Sequence, residues 1–277
     1  MKDVVVVIPI YRDDPPSEEQ ASFRQCLKVL GRYDIVLLTY EELDSSLYES
    51  MAGTYSCKLR KEFFDARYFK SVAGYNRLCL NPDLYVRFQD YRYMLIYQLD
   101  AWVFKDELLK WCQKAYDFIG APWFVKNGEE YTYEFCDNLG NGGFSLRKIS
   151  FCYKVLTRNR HTPILKPKAL WRENTYCGFS GFLEFLKNII GKRNNRTYYL
   201  PEDDSWTRNE DGFFTLFRDS YMKCHIPKPI EAISFSFEAH PSYLFALNNN
   251  ELPFGCHAYR KFEYDSFWRM YIHDDIK

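Results

Sequence analysis

Three short runs of apolar, β-branched and aromatic residues stand out along the first hundred positions of the chain. They cover residues 4–10, 34–38 and 93–97, and each is bounded by polar or turn-forming residues. A continuous apolar run of this length is typical of a strand that is buried on both faces, as in a parallel sheet. We therefore predict three strands of one central sheet.

Helical spacing of apolar residues follows the first strand. Phe23, Leu27 and Leu30 recur at helical intervals, and Ser17 with Gln20 predicts a capping box at the start of that helix. The chain therefore opens β–loop–α–β, the unit of a doubly wound sheet that binds ligands at the C-terminal ends of its strands. The loop carries no Gly-x-Gly-x-x-Gly pattern, so we expect no dinucleotide cofactor.

The rest of the chain continues the alternation of helices and strands. Helices are predicted over residues 63–80, 106–115, 148–156 and 180–190, and strands over residues 118–119 and 143–147. Residues 120–140 read as loop-rich, and residues 160–174 and 191–209 as long polar connections, which in compact domains are usually functional or mobile. The expected fold class is α/β, with a Rossmann-type mixed sheet flanked by helices.

No internal repeat or low-complexity segment divides the 277 residues. We expect one domain over residues 1–277, with a nucleotide-binding half over about 1–120 and an acceptor half over about 121–277.

Composition narrows the function classes. The formal net charge is zero, which argues against a nucleic-acid partner. The nine cysteines show no metal-binding or disulfide spacing, and no apolar run approaches the length of a membrane span. The N-terminus runs straight into an apolar strand and carries no secretory signal, so we expect a cytoplasmic protein. Aromatic residues make up 19% of the chain, which mildly favours carbohydrate binding.

Asp100 ends the third apolar run in the order Gln98-Leu99-Asp100. A carboxylate at the C-terminal edge of a parallel sheet has a natural partner in a cation, and Mg²⁺ or Mn²⁺ would bind one carboxylate together with ligand phosphate oxygens. A cap on a following helix explains the same residue equally well, so both interpretations stay open on chemistry alone.

Residues 140–147 read Gly-Asn-Gly-Gly-Phe-Ser-Leu-Arg. The adjacent Gly142 and Gly143 before a predicted strand allow the backbone to approach a ligand closely. An ordinary tight turn is the alternative.

Glu210 and Asp211 stand at the start of an apolar helical pattern. One such carboxylate at a pocket edge can act as general base on a sugar hydroxyl. Both can equally be ordinary partners of the helix dipole. A competing acidic cluster at residues 201–204 reads as a solvated loop.

His257 follows Gly255 near the end of the chain. It is either a core histidine or a residue that closes over a diphosphate or ligates a metal.

Taken in order, these four motifs resemble a bacterial family of glycosyltransferases formerly catalogued as a domain of unknown function. More loosely they are similar to the metal-dependent GT-A superfamily, in which an Asp-x-Asp motif binds metal and nucleotide. Residues 68–76, 119–123 and 235–238 also look like the bacterial family, so the resemblance covers nearly the whole chain.

The resemblance implies a GT-A-like fold and a role for each matching residue. Asp100 and Gln98 match the metal- and nucleotide-binding motif, with Gln98 in place of its first Asp, so we expect weaker metal binding without nucleotide and no strict metal dependence. His257 matches a C-terminal histidine that completes the metal shell. Three further groups match. They are the acidic residues Asp211 and Glu210, which supply the catalytic base, the acceptor-side glycines Gly142 and Gly143, and the nucleotide-binding residues Pro9, Tyr11, Tyr75 and Asn76.

The function we expect from this resemblance is metal-assisted, inverting transfer of a sugar from a nucleoside diphosphate donor, with Mn²⁺ or Mg²⁺. Asp211 is preferred to Glu210 as base only because of the family match. The expected acceptor is a glycan or lipid-linked glycan of bacterial surface polysaccharide synthesis, which would bring the protein to the inner membrane face. A nucleotidyltransferase and a non-catalytic carbohydrate-binding protein are the alternatives.

Overall fold

The computed structural model describes residues 1–158, 209–216 and 224–274. The predicted helix over residues 180–190, the connection 160–174 and the acidic stretch 201–204 lie outside the described residues. The connection 191–209 lies outside them except for its last residue.

The strands, in chain order, are β1 (Lys2–Pro9), β2 (Asp34–Thr39), β3 (Leu59–Phe63), β4 (Tyr91–Tyr97), β5 (Trp102–Val103), β6 (Phe118–Ile119), β7 (Pro122–Asn127), β8 (Glu130–Leu139), β9 (Phe144–Lys148), β10 (Ser236–Phe237) and β11 (Gly255–Cys256). The α-helices are α1 (Ser17–Leu30), α2 (Ser46–Thr54), α3 (Val72–Cys79), α4 (Pro82–Val86), α5 (Leu108–Gln113), α6 (Ile149–Arg158), α7 (Glu210–Leu216), α8 (Pro229–Ala232) and α9 (Pro241–Leu247). Short 3₁₀ helices cover Ala66–Phe69 and Trp268–Met270.

The central sheet has six strands in the order β3-β2-β1-β4-β9-β6. The first four are mutually parallel, whereas β9 runs antiparallel to both β4 and β6. Because β9 is reversed, its first residue, Phe144, pairs with Tyr97 at the end of β4. The predicted α/β fold with a mixed sheet flanked by helices is confirmed.

The core lies on both faces of this sheet, as the continuous apolar runs predicted. In β1, Val6 and Ile8 pack in one apolar cluster and Val5 and Val7 in the other, and all four are fully buried. Fully burying one such side chain stabilises a fold by about 1.5–3 kcal/mol. None of the helices in the described ranges has the length and apolar character needed to cross a membrane.

A second, three-stranded sheet in the order β10-β11-β5 positions three polar residues next to one another. Phe237 of β10 pairs with Cys256 of β11, which in turn pairs with Trp102 of β5. Glu238 and His257 follow the paired residues directly. Asp100 lies two positions before Trp102, so the sheet brings the ends of three distant segments together.

The predicted helix over residues 63–80 is only partly right. Phe63 ends the edge strand β3, and helix α3 begins after Ser71, whose side chain accepts a hydrogen bond from the Gly74 amide at 3.1 Å. The Leu-Arg-Lys-Glu-Phe sequence of β3 is half polar because an edge strand needs little apolar surface.

Two further expectations about local structure are wrong. Residues 122–139 form a β-hairpin of β7 and β8 rather than a loop. At the start of α1 no side chain caps the helix; the Gln20 side chain instead donates to the Pro15 carbonyl at 2.9 Å. Pro15 and Pro16 set the entry of this helix, and the capping pattern cannot reveal that.

Candidate functional site

Two groups of charged side chains lie beside the Gly142–Gly143 backbone, at the edge of the sheet where β4 ends. The first, called here the histidine cluster, comprises Gln98, Asp100, Glu238 and His257. The second, called here the acidic pair, is Glu210 with Asp211 at the start of α7.

His257 is at the centre of the histidine cluster and is only 8% exposed. Its Nε2 lies 3.1 Å from Asp100 Oδ1 and 3.2 Å from Gln98 Oε1. Its Nδ1 lies 3.2 Å from Glu238 Oε1. The ring is therefore clamped between two carboxylates, one at each nitrogen.

The charges of this cluster stabilise one another. Burial works against a charged ring, but the charges and hydrogen bonds of Asp100 and Glu238 outweigh it and raise the pKa of His257 to about 10. Burial likewise opposes the Asp100 carboxylate, yet the charge and hydrogen bond of His257 hold the pKa of Asp100 below its usual value. At neutral pH the cluster holds an imidazolium facing ionised Asp100.

Asp100 does not cap a helix. β5 follows it directly, and the next helix begins at Leu108. Its side chain is 51% exposed, so one carboxylate face is open toward solvent while the other contacts His257. Of the two interpretations left open by the sequence, the helix cap does not apply, and the role of Asp100 as a ligand-binding residue stays a prediction.

Glu210, one member of the acidic pair, forms a buried ion pair with Arg147. Arg147 of β9 is fully buried and donates from Nη2 to Glu210 Oε1 at 2.6 Å. The same guanidinium donates to the Gly142 carbonyl at 3.1 Å and to Ser145 Oγ at 3.0 Å. Glu210 is thus tied to the interior rather than directed at a substrate.

Asp211 is the other member, and it is held by backbone amides. The Gly142 amide donates to its Oδ2 at 3.0 Å and the Gly212 amide to its Oδ1 at 2.6 Å. Burial and the negative charge of Glu210 raise the pKa of the Asp211 carboxyl to about 8, against the opposing effect of these amides and Arg147. A carboxylate with a raised pKa is a stronger base, which suits proton abstraction near neutral pH.

Asn76 and Tyr75 lie against the acidic pair. Asn76 accepts a hydrogen bond from the Glu210 amide at 3.3 Å and donates to Asn209 at 3.2 Å. Burial raises the pKa of the Tyr75 hydroxyl far above its usual value, with the nearby Cys79 and Glu210 adding to the effect. Their predicted role in nucleotide binding stays a prediction.

Pro9 and Tyr11 lie at the end of β1, beside the end of β4. Tyr11 is 48% exposed, and the Arg12 guanidinium lies 4.6 Å from the centre of its ring. Burial raises the pKa of Tyr11, and the charges of Glu19 and, more weakly, Asp100 add to the shift. Tyr11 therefore lies within electrostatic range of Asp100, and its predicted role in nucleotide binding stays a prediction.

Gly142 and Gly143 are required because the two charged groups leave no room for side chains. A Cβ at Gly142 would overlap Oε1 of Glu210, and one at Gly143 would overlap Nε2 of His257 and approach Gln98. The glycine pair is therefore more than a tight turn, since it lets both groups close onto one stretch of backbone.

Gly143→Ala is expected to push the His257 ring away from Asp100. The ring is buried and held at both nitrogens, so it cannot move aside freely. A misplacement of about 1 Å can cost about 10²-fold in the turnover of a reaction at such a site. Turnover and melting temperature of the variant are the measurement. Gly53→Ala, at a glycine whose added Cβ would contact nothing within 4 Å, is the matched control. Equal turnover in both variants would contradict the expectation.

The predicted metal ligands, Asp100 and His257, lie side by side. The described ranges hold no cluster of three or more His, Cys, Asp or Glu side chains suited to a metal ion. Asp100 and His257 supply one oxygen and one nitrogen 3.1 Å apart, and the Gln98 oxygen lies 3.2 Å from that nitrogen. Neighbouring ligands of an octahedral ion are about 3 Å apart. The three atoms are thus spaced as neighbouring ligands of one ion would be, and the role of Asp100 and His257 as metal ligands stays a prediction.

The structure also identifies residues that the sequence did not single out. Glu238 and Asn141 join the histidine cluster to the glycines, and Arg147 joins the acidic pair to them. The positive charge of Lys261 lies close enough to Asp100 to lower its pKa further. Glu238 and Arg147 stand inside motifs that the sequence had marked, so only their roles were missed.

Comparison with known proteins gives one family match. The model of a family described as "Protein of unknown function (DUF5672)" matches residues 58–257. That range includes both charged groups and the glycine pair. No curated protein matches the chain.

The structure is similar to several solved glycosyltransferase structures. Mouse xyloside xylosyltransferase 1, in its apo form, has 9% identity and a TM-score of 0.47, over 92% of this chain and 96% of that one. The apo glycosyltransferase GlyE of Streptococcus pneumoniae TIGR4 has 12% identity and a TM-score of 0.45, over 93% and 54%. S. aureus TarS 1-349 in complex with UDP-GlcNAc has 11% identity and a TM-score of 0.35, over 57% and 47%. Such values assign neither activity nor substrate to this chain.

Proposed function

The chain belongs to the family described as a protein of unknown function (DUF5672), and we propose that it is a glycosyltransferase that moves a sugar from a nucleoside diphosphate donor to an acceptor hydroxyl. The observation that carries this proposal is the joint placement of the two charged groups. A cluster suited to a divalent cation and a carboxylate with raised pKa both lie at the adjacent glycines Gly142 and Gly143.

The histidine cluster is the proposed donor side. Asp100 and His257 would hold a divalent cation, which would neutralise charge that develops on the leaving diphosphate. Binding of a metal at Nε2 requires the loss of the proton there, so metal affinity would rise with pH. Lys261 adds a positive charge near Asp100, and Tyr11 at the end of β1 offers a ring to the nucleotide base.

Asp211 is the proposed base. It would take the proton of the acceptor hydroxyl while that oxygen bonds to the anomeric carbon of the sugar. The bond from that carbon to the diphosphate breaks at the same time, so the configuration inverts. Glu210 is a poor candidate because Arg147 occupies its Oε1, and this observation supports the preference that first rested on resemblance alone.

The division of the chain into a nucleotide-binding half and an acceptor half stays a prediction. The proposed donor side combines Gln98 and Asp100 from the first 120 residues with His257 from the remainder. A glycan or lipid-linked glycan as acceptor remains a prediction from the sequence.

The test of the proposed function is a donor screen. UDP- and GDP-sugars are incubated with the protein, Mn²⁺ and simple glycan acceptors, and release of nucleoside diphosphate is measured. Calorimetric titration of UDP and GDP with Mn²⁺ runs alongside. A nucleotidyltransferase would release pyrophosphate from a nucleoside triphosphate instead, and a carbohydrate-binding protein would bind glycan but neither nucleotide. Failure to bind UDP and GDP rejects the proposal.

Asp100→Ala is expected to abolish detectable turnover and to leave the chain folded. The carboxylate is half exposed, and the buried His257 ring that loses it keeps Gln98 at Nε2 and Glu238 at Nδ1. Circular dichroism and thermal unfolding check the fold, and the nucleotide-release assay checks turnover. Loss of folding would instead assign Asp100 a structural role.

The pH dependence of activity and of stability should run in opposite directions. Because the pKa of Asp211 is raised to about 8, the base form increases, and kcat/KM rises, as pH approaches 8. Folded Asp211 binds its proton more tightly than the unfolded chain does, so its contribution to the free energy of unfolding falls between about pH 4 and pH 8. Denaturant unfolding of wild type and Asp211→Asn at pH 5 and pH 8 isolates this contribution to stability. A kcat/KM that is flat from pH 5 to pH 8 would contradict the predicted pH dependence of activity.

A further inference from the structure

Glu238 has no role in the chemistry derived so far, although it ends a segment that the sequence had marked. Its side chain is largely buried, and its Oε1 accepts two hydrogen bonds. One comes from His257 Nδ1 at 3.2 Å and the other from Asn141 Nδ2 at 2.8 Å. This single oxygen therefore contacts the histidine cluster and the segment that leads into the glycines.

These two contacts complete a closed ring of hydrogen bonds. Asn141 Oδ1 accepts from the Gly143 amide at 2.8 Å, and the Gly143 carbonyl accepts from the Gln98 amide at 2.8 Å. Gln98 Oε1 returns to His257 Nε2 at 3.2 Å. The members of the ring are thus His257, Glu238, Asn141, Gly143 and Gln98.

We propose that Glu238 is a positioning residue, which aims Nε2 of His257 at Asp100 and Gln98 and, through Asn141, fixes the backbone of Gly143. The inference rests on the proposed function, because it assigns a task to the residue behind the proposed metal ligand.

The chemistry of the groups decides the direction of each bond. An ionised carboxylate only accepts hydrogen bonds, so Nδ1 of His257 must donate to Glu238. Because Nδ1 donates to Glu238, Nε2 is the ring nitrogen that can act as a ligand, and it faces Asp100. Nε2 donates to Gln98 and Asp100 while it carries a proton, and a metal ion would take the place of that proton. A ligating histidine whose other nitrogen donates to a carboxylate is fixed in orientation and is made more basic.

Asn141 transmits the same constraint to the backbone. Its oxygen must face the Gly143 amide, so its NH₂ group must face an acceptor, and Glu238 supplies that acceptor. Loss of Glu238 would leave both Asn141 and the His257 ring free to turn. Loss of Asn141 alone would release only the Gly143 backbone and would leave Glu238 in contact with His257.

The test measures Mn²⁺ affinity rather than turnover. Wild type, Glu238→Ala, Glu238→Gln and Asn141→Ala are titrated with Mn²⁺, alone and with UDP or GDP present, and free Mn²⁺ is followed by electron paramagnetic resonance. Glu251→Gln, which removes an exposed carboxylate elsewhere, is the matched control. Thermal unfolding shows that each variant is folded.

Glu238→Ala is expected to weaken Mn²⁺ binding by about 10–100-fold. Glu238→Gln should fall between it and wild type, because an amide oxygen still accepts from Nδ1. Asn141→Ala should lose less affinity than Glu238→Ala, and Glu251→Gln should match wild type. If Glu238→Ala fails to fold, Glu238→Gln decides by the same comparison.

The inference is overturned if Glu238→Ala binds Mn²⁺ with the affinity of wild type. If Glu238→Ala does not fold, the same result for Glu238→Gln overturns it. An absence of Mn²⁺ binding in wild type overturns it as well. The nucleotide-release assay separates this failure from failure of the proposed function. Sugar transfer with unchanged Mn²⁺ affinity in the variants rejects only the positioning role. Weakened Mn²⁺ binding without any sugar transfer supports the positioning role and rejects the glycosyltransferase.

Discussion

Asp211→Asn is expected to lower turnover by about 10²–10⁴-fold, the usual contribution of a general base. The asparagine has nearly the same shape and can still accept one of the two amide hydrogen bonds at this position. It cannot take a proton from an acceptor hydroxyl near neutral pH. The fold should therefore survive while the chemical step slows.

Nucleotide release under single-turnover conditions is the measurement, with donor binding measured separately by calorimetry. The Kd for donor should stay close to that of wild type, because Asp211 accepts from the Gly142 and Gly212 amides rather than from a side chain of the histidine cluster. Glu129→Gln, an exposed carboxylate in the hairpin turn, is the matched control. Near wild-type turnover in Asp211→Asn would move the base to another residue.

Arg147→Met is expected to lower the free energy of unfolding by about 3–5 kcal/mol, the usual effect of leaving one member of a buried ion pair alone. Glu210, whose side chain is 5% exposed, would then be a buried carboxylate without its cation. The Gly142 carbonyl would lose a donor as well. The resulting cost is far larger than the net stabilisation that the pair itself provides.

The double variant Arg147→Met with Glu210→Leu separates these two quantities. Since an apolar replacement of both partners is often neutral, much of the stability should return, whereas turnover should stay low because Asp211 loses its ordered neighbours. Denaturant unfolding of wild type, both single variants and the double variant is the measurement. Arg269→Met, at an exposed pair with Asp265, should cost no more than about 1 kcal/mol. A similarly small effect at Arg147 would contradict the expectation.

The sequence predicts the parts of this fold whose burial is continuous. β1, β2 and β4 are apolar along nearly their whole length because both faces are covered, and local pattern alone reveals them. β3 and the β7–β8 hairpin escape such reasoning, since they lie at a sheet edge or in a separate pair and carry many polar residues. Their pairing partners, not their own sequence, make them strands.

In the candidate site, too, the sequence predicts some features and not others. Asp100 and the acidic pair were found because each stands at the end or start of a recognisable element, whereas His257 was singled out as a histidine that follows a glycine near the end of the chain. Their grouping could not be derived, since His257 and Gln98 are 159 positions apart and Gly142 and Asp211 are 69 apart. The role of Arg147 could not be predicted, because a charged residue in a strand gives no sign of which carboxylate it will pair with.

The reversed direction of β9 has a consequence for how the site can change over evolution. Had β9 run parallel to β4, its glycines would lie at the opposite end of the sheet from Asp100. Reversal instead puts Gly142 and Gly143 one strand away from Gln98, and their separation follows the fixed step of about 3.3 Å per residue. A change of register would move Gly142, and with it Asp211, relative to Gln98 and Asp100 by such whole steps. The two halves of the site must therefore vary together, through side chains rather than through chain length.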